Sequence, residues 1–71
     1  MNTGIRIKRY LESKGISQAF LSERSGIPAP KLNLVLNGKR RLTFDEYEVI
    51  CYVLEVDAGT FIEPHPPSWA S

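Results

Sequence analysis

Gln18-Ala19-Phe20-Leu21-Ser22-Glu23-Arg24-Ser25-Gly26-Ile27-Pro28-Ala29-Pro30-Lys31-Leu32-Asn33-Leu34-Val35-Leu36-Asn37 is the stretch that decides the fold. It divides at Gly26, a residue that accepts the left-handed backbone conformation ending many helices. The two pieces read as short helices joined by very few residues. Leu21, Ile27, Leu32 and Val35 would fill the angle between them, and Ser22 is small where the two would approach closely. On the second helix, a turn of 100° per residue points Ala29, Leu32, Val35 and Leu36 inward. Pro30, Lys31, Asn33, Leu34 and Asn37 are left on or beside the outward arc.

Working outward, Gly15 and Gly38 punctuate the chain as Gly26 does, and each follows a segment of helical length. Before Gly15, Ile7, Tyr10 and Leu11 share one face, with Ile5 near its start. After Gly38, Thr43-Phe44-Asp45-Glu46 is a capping box, in which the Thr43 and Glu46 side chains each satisfy a free backbone N–H. Leu42 and Tyr47 are placed to staple that helix start, and Phe44, Tyr47, Ile50, Cys51 and Leu54 recur at helical spacing. Cys51 on that face reads as a small buried hydrophobe. Asp57 would cap a short last helix containing Phe61 and Ile62, stopped by Pro64. The expectation is an all-α, compact five-helix domain over residues 1–64, followed by a Pro-rich C-terminal tail, residues 65–71, with Trp69 in it.

Charge is segregated along the chain. All nine Lys and Arg residues lie in residues 1–41, which hold two acids and so carry a net +7, whereas residues 42–71 hold six acids and no base, a net −6. A basic part of this kind can present a positive face to a polyanion while the acidic part points elsewhere. The pattern is also compatible with two solvated, mutually attracting surfaces.

Size and composition exclude several function classes. Seventy-one residues, 42% of them apolar, make one small domain with one core, which favours a binding surface over an enclosed pocket. One Cys and one His, Cys51 and His65, cannot supply a disulfide or a three- or four-ligand Cys/His zinc site, so no metal and no cofactor are expected. The glycine spacing matches neither nucleotide-binding fingerprint, and no Ser/His/Asp or Cys/His arrangement is credible; an enzyme acting on a small-molecule substrate is not expected. The longest apolar run, Val49 to Leu54, is far short of a membrane span, and the polar start has no hydrophobic signal segment behind it. A cytoplasmic protein without membrane association is the expectation.

Two short helices joined at Gly26, with Ser17-Gln18 before them, Asn37-Gly38-Lys39-Arg40-Arg41 after them and further helices following, resemble a helix-turn-helix. Over residues 4 to about 63 the chain is similar to the Cro and phage-repressor type, the XRE family. The resemblance implies a lambda-repressor-like bundle whose third helix enters the major groove of double-stranded DNA while neighbouring helix ends and loops hold phosphates. Carried onto this sequence, it assigns base contacts to Ala29, Pro30, Lys31, Asn33, Leu34 and Asn37. It assigns phosphate contacts to Ser17, Gln18, Lys39, Arg40 and Arg41, although capping alone explains Ser17 and the basic run also reads as solvated charge. Asn33 and Asn37 lie one helical turn apart, and an Asn amide matches an adenine edge; Leu34 would touch a thymine methyl, or serve as a protein contact.

The implied function is a sequence-specific transcriptional regulator, a small phage-like repressor. A homodimer would have to use the last helix and tail, with Phe61, Ile62 and Trp69 as its candidates, although Phe61 and Ile62 read equally as core. One departure from the family is Pro28-Ala29-Pro30 at the opening of the third helix, where such proteins often carry hydrogen-bonding side chains. Proline is acceptable in a first helical turn, so the departure bears on base readout and leaves the fold intact. The alternative reading is a protein-interaction module of the antitoxin or anti-repressor type, in which the helix-turn-helix is scaffold and the Pro-Ala-Pro and Leu34 surface grips a partner.

Overall fold

The computed structural model describes residues 2–62. Among these, four α-helices and no strand are formed: α1 (Thr3–Lys14), α2 (Gln18–Ser25), α3 (Ala29–Leu36) and α4 (Phe44–Leu54). Three helix starts are fixed by side chains that accept from otherwise unpaired backbone N–H groups. Asn2 Oδ1 accepts from Ile5 N–H at 3.0 Å, and Ser17 Oγ accepts from Phe20 N–H at 3.0 Å. The capping box at α4 is complete: Thr43 Oγ1 accepts from Glu46 N–H at 3.2 Å, and Glu46 Oε1 accepts from Thr43 N–H at 2.9 Å. The fourth start, at α3, has no side-chain cap; Pro28 precedes it and Pro30 sits in its first turn, where a missing N–H costs nothing.

The turn between α2 and α3 is the tightest joint. Gly26 takes φ 78°, and Ser22 does more than stay small there: its Oγ donates to the Ile27 carbonyl at 2.6 Å, while Ile27 N–H reaches Ser25 Oγ at 3.2 Å. With the turn's polar groups paired locally, Ile27 is free to enter the core. α2 packs against both α3 and α4, and α1 packs against α3. Ile7, Leu11, Leu21, Leu32, Leu36 and Ile50 are fully buried at the centre, and Cys51 is buried beside them as a small hydrophobe.

One close approach has no counterpart in the sequence reading. Gly4, buried in the first turn of α1, lies under the carboxyl end of α3, and a Cβ there would stand 2.0 Å from the Val35 carbonyl oxygen. Only glycine admits this contact between two backbones.

Three expectations are corrected. Among the described residues the fifth helix is absent: between α4 and Ile62 the chain makes isolated turns, with Thr60 N–H donating to the Asp57 carbonyl at 3.0 Å and Ile62 N–H to the Gly59 carbonyl at 3.3 Å. A segment this short, with Gly59 inside it, cannot offset the cost of nucleating a helix. Phe61 anchors it instead, buried edge-on against Tyr10 at 5.3 Å and Tyr47 at 6.4 Å, while Tyr47 Oη donates to the Ala58 carbonyl. Phe61 is therefore core and unavailable to a dimer; Ile62 is exposed, and Trp69 lies outside the described residues along with His65. Phe44, expected on the core face of α4, is 70% exposed, and Ala29, expected inward, is also exposed. Both are first residues of their helices and share an azimuth with a buried residue seven positions later. The two lie roughly 10 Å apart along the axis, and the core does not reach that end.

Candidate nucleic-acid interface

The side of α3 turned away from the core is a single arc. Ala29, Asn33, Asn37, Pro30 and Leu34 follow one another around roughly 140° of the helix, and all five are exposed. Leu32, Val35 and Leu36 occupy the buried side. Lys31 stands on the flank between the two, half-buried.

Asn33 lies on this arc between Ala29 and Asn37 and faces the start of α2. Its Nδ2 donates to Gln18 Oε1 at 3.4 Å. An Asn amide has two donor hydrogens and an acceptor oxygen, so this bond leaves one hydrogen and Oδ1 able to meet an adenine edge. Gln18 is the first residue of α2, where free N–H groups and the helix dipole favour an anion. Gln18 and Asn33, fifteen residues apart, thus form one polar unit across the two helices.

Two other sequence-predicted residues are already engaged. Asn37 Oδ1 accepts from Lys8 Nζ at 3.0 Å, and Asn37 Nδ2 donates to the Asn33 carbonyl at 2.8 Å. This brings the Lys8 charge from α1 to the negative end of the α3 dipole. Lys31 pairs with Glu46 Oε2 on α4. Hydrogen bonding to Lys31, followed by the Thr43 N–H, pushes the Glu46 carboxyl down to about 2 from its usual 4.5. One carboxylate thereby closes the α4 cap and ties the flank of α3 to α4. Spacing along the chain gave no signal for either pair, because each partner lies on a different helix.

Past α3, Gly38 takes φ 74°, its N–H donates to the Val35 carbonyl at 3.1 Å, and Lys39 N–H donates to the Leu34 carbonyl at 2.9 Å. These bonds fix the direction in which the chain leaves the helix. Lys39, Arg40 and Arg41 follow, all exposed, and no carboxylate among the described residues pairs with them. The basic loop and the amino end of α2, with Ser17 and Gln18, are the flanking elements that the sequence assigned to phosphate. Among the described residues no group of three or more metal-ligating side chains comes together, and no helix is long and apolar enough to cross a membrane.

Two short helices joined by a bonded glycine turn, the second with an outward arc and a basic loop behind it, define a helix-turn-helix protein. The family model of the Cro/C1-type HTH DNA-binding domain matches residues 6–67, and the chain belongs to that family. It is a DNA-binding regulator of the Cro/C1 type. No curated protein and no solved structure matched the chain.

Proposed function

We propose that the protein is a sequence-specific transcriptional regulator that seats α3 in the major groove and acts as a repressor by occupying its operator. The observation that carries this reading is the exposed arc of α3, bordered by a basic loop that no carboxylate among the described residues pairs. In this reading Asn33 reads an adenine edge, steadied by Gln18, and Leu34 meets a thymine methyl. Lys39, Arg40 and Arg41 hold phosphates along one strand, and Gln18 with the first N–H groups of α2 holds another, beside the Ser17 cap. Ala29 and Pro30 let the opening of α3 approach the base edges closely and add shape contact without hydrogen bonds. Asn37 and Lys31 are already bonded to Lys8 and Glu46, so their first role is to hold α3 in place. Base readout by so few polar groups gives modest discrimination, helped by DNA shape.

Selection from a random duplex pool near physiological salt tests this. The expected outcome is an enriched sequence bound at least ~10³-fold better than a scrambled one, the lower end for specific binders. A palindrome with half-sites one helical turn apart would show that two copies bind together as a homodimer. Binding that is steeply salt-dependent with no enrichment would reduce the basic surface to a generic electrostatic one and refute the reading.

One observation favours the second reading, a protein-interaction module. Three of the five outward residues on α3, Ala29, Pro30 and Leu34, are apolar, and Leu34 is 42% exposed. That reading predicts loss of function from Leu34→Asp and tolerance of Arg40→Glu with Arg41→Glu; the DNA reading predicts that the arginine pair is indispensable.

A further inference from the structure

Beside the amino end of α4 lies an open cleft of about 380 Å³. Arg40, Arg41, Leu42, Phe44, Tyr47 and Ile62 line it, together with the start of α1. Phe44 shares an azimuth with buried Cys51 and so belongs to the core side of α4, yet it is 70% exposed. Ile62 is 53% exposed, although its N–H is held by the Gly59 carbonyl at 3.3 Å. Two large apolar side chains thus face one concavity, and among the described residues nothing covers them. A cover would remove that apolar area from water, the main driving force of packing.

We infer that residues 63–71 of this chain close the cleft, with Trp69 seated over Phe44, and so complete the core at the end where α4 leaves it open. Three observations select this occupant. Ile62 is the last described residue and stands in the cleft, so the segment begins at the site itself. Seven residues separate Ile62 from Trp69, a span of at most roughly 25 Å. A segment tethered this closely meets the cleft at an effective concentration of about millimolar, an advantage that a free partner lacks. Its composition fits, because Pro64, Pro66, Pro67 and Trp69 are apolar, and the fixed φ of proline lowers the entropy lost on ordering. Its charge fits as well: the segment carries Glu63 and no Lys or Arg, opposite in sign to Arg40 and Arg41, which no carboxylate among the described residues pairs. Closure of the cleft requires no DNA, and its test contains none.

Trp69 is the only tryptophan, so its fluorescence in the full chain reports on this segment alone. The expected result is an emission to the blue of the urea-unfolded chain, shielded from quenching by acrylamide. Phe44→Ser should move the emission to the red and lower the docked-to-free ratio by at least ~5-fold, as for an interface residue of real weight. Phe44 is mostly exposed, so the helix content of the variant by circular dichroism should match the parent. Ile62→Ser should act in the same direction. Tyr52→Ser is the control: Tyr52 is 82% exposed on α4 and lies outside the cleft, and its loss should leave the emission unchanged.

Three results would overturn the inference. One is an emission and a quenching rate equal to those of the unfolded chain, which would leave Trp69 in water. Another is shielding unmoved by both Phe44→Ser and Ile62→Ser, which would seat Trp69 elsewhere. The third is shielding that vanishes on dilution, with a doubled mass by sedimentation at high concentration, which would assign the cleft to a second copy.

Discussion

Replacing Gly4 by Ala sets two opposing effects against each other, and the geometry decides between them. Alanine is the better helix former by up to ~1 kcal/mol, less in a first turn. Against this, the new methyl would stand 2.0 Å from the Val35 oxygen and 2.9 Å from its carbonyl carbon, where ordinary contact begins near 3.4 Å. Both sides of the contact are backbone, so the start of α1 or the end of α3 must retreat by more than an ångström-scale side-chain adjustment supplies. Overpacking of this kind costs about 1–3 kcal/mol, and a backbone obstacle places Gly4→Ala at the upper end. The net loss is about 2 kcal/mol, a large share of the roughly 4–11 kcal/mol that a domain of this size possesses. At about 4–8 °C per kcal/mol, Tm should fall by roughly 8–16 °C. Thermal unfolding followed by circular dichroism at 222 nm measures this, with Gly59→Ala as control. A Cβ at Gly59 meets nothing within 4 Å and needs no positive φ, so its change should stay within about 0.5 kcal/mol. A Gly4→Ala melt within a few degrees of the parent would refute the close approach of α1 and α3.

Three further outcomes follow from the same geometry. Glu46 titrates near 2 when folded and near 4.5 otherwise, so its contribution is complete above about pH 5 and is lost as pH falls toward 2. The full displacement would correspond to roughly 3 kcal/mol, but water screens the partly exposed Lys31, and about 1–2 kcal/mol is expected. Urea midpoints of the parent and Glu46→Gln should therefore differ at pH 7 and converge by pH 2–3; a constant gap would contradict the assignment. Glu55 ends α4 with φ 56°, a conformation that costs a side chain about 1 kcal/mol, so Glu55→Gly should raise Tm by a few degrees, and a lowered Tm would count against it. For the selected duplex, Arg40→Gln with Arg41→Gln should make the slope of log affinity against log salt shallower by about 2, one unit per phosphate contact; an unchanged slope would remove both residues from the interface.

What was legible in the sequence is what is decided locally. The Thr43–Glu46 box, the Ser17 cap and the glycines at 15, 26 and 38 act over three to six residues, and each ends or starts a helix where it was expected to. The buried side of α3 was legible because Leu32, Val35 and Leu36 repeat at helical spacing. Periodicity failed for Ala29 and Phe44, since azimuth says nothing about how far along its axis a helix stays covered. It failed again for Asp57–Ile62, where one buried ring, Phe61, organises a segment without helical hydrogen bonding. The contacts Lys31–Glu46, Lys8–Asn37 and Gly4–Val35 were not legible at all, because they join helices whose relative placement exists only after packing. For the candidate interface the consequence is specific: the sequence offered Asn33 and Asn37 as equals, and packing ties Asn37 at both ends of its amide, to Lys8 and to the Asn33 carbonyl, while Asn33 is tied at Nδ2 alone.

The central claim, that α3 reads base edges in the major groove, is tested most directly by replacing single adenines of the selected duplex with 7-deazaadenine. The change deletes the N7 acceptor on the major-groove edge and leaves base pairing intact. The account predicts one adenine per half-site at which the parent protein loses about 1–3 kcal/mol, roughly 5- to 150-fold in affinity, while Asn33→Ala, already weakened, loses nothing further at that position. Equal affinity for every substituted duplex, or a loss that Asn33→Ala suffers as fully as the parent, would contradict it.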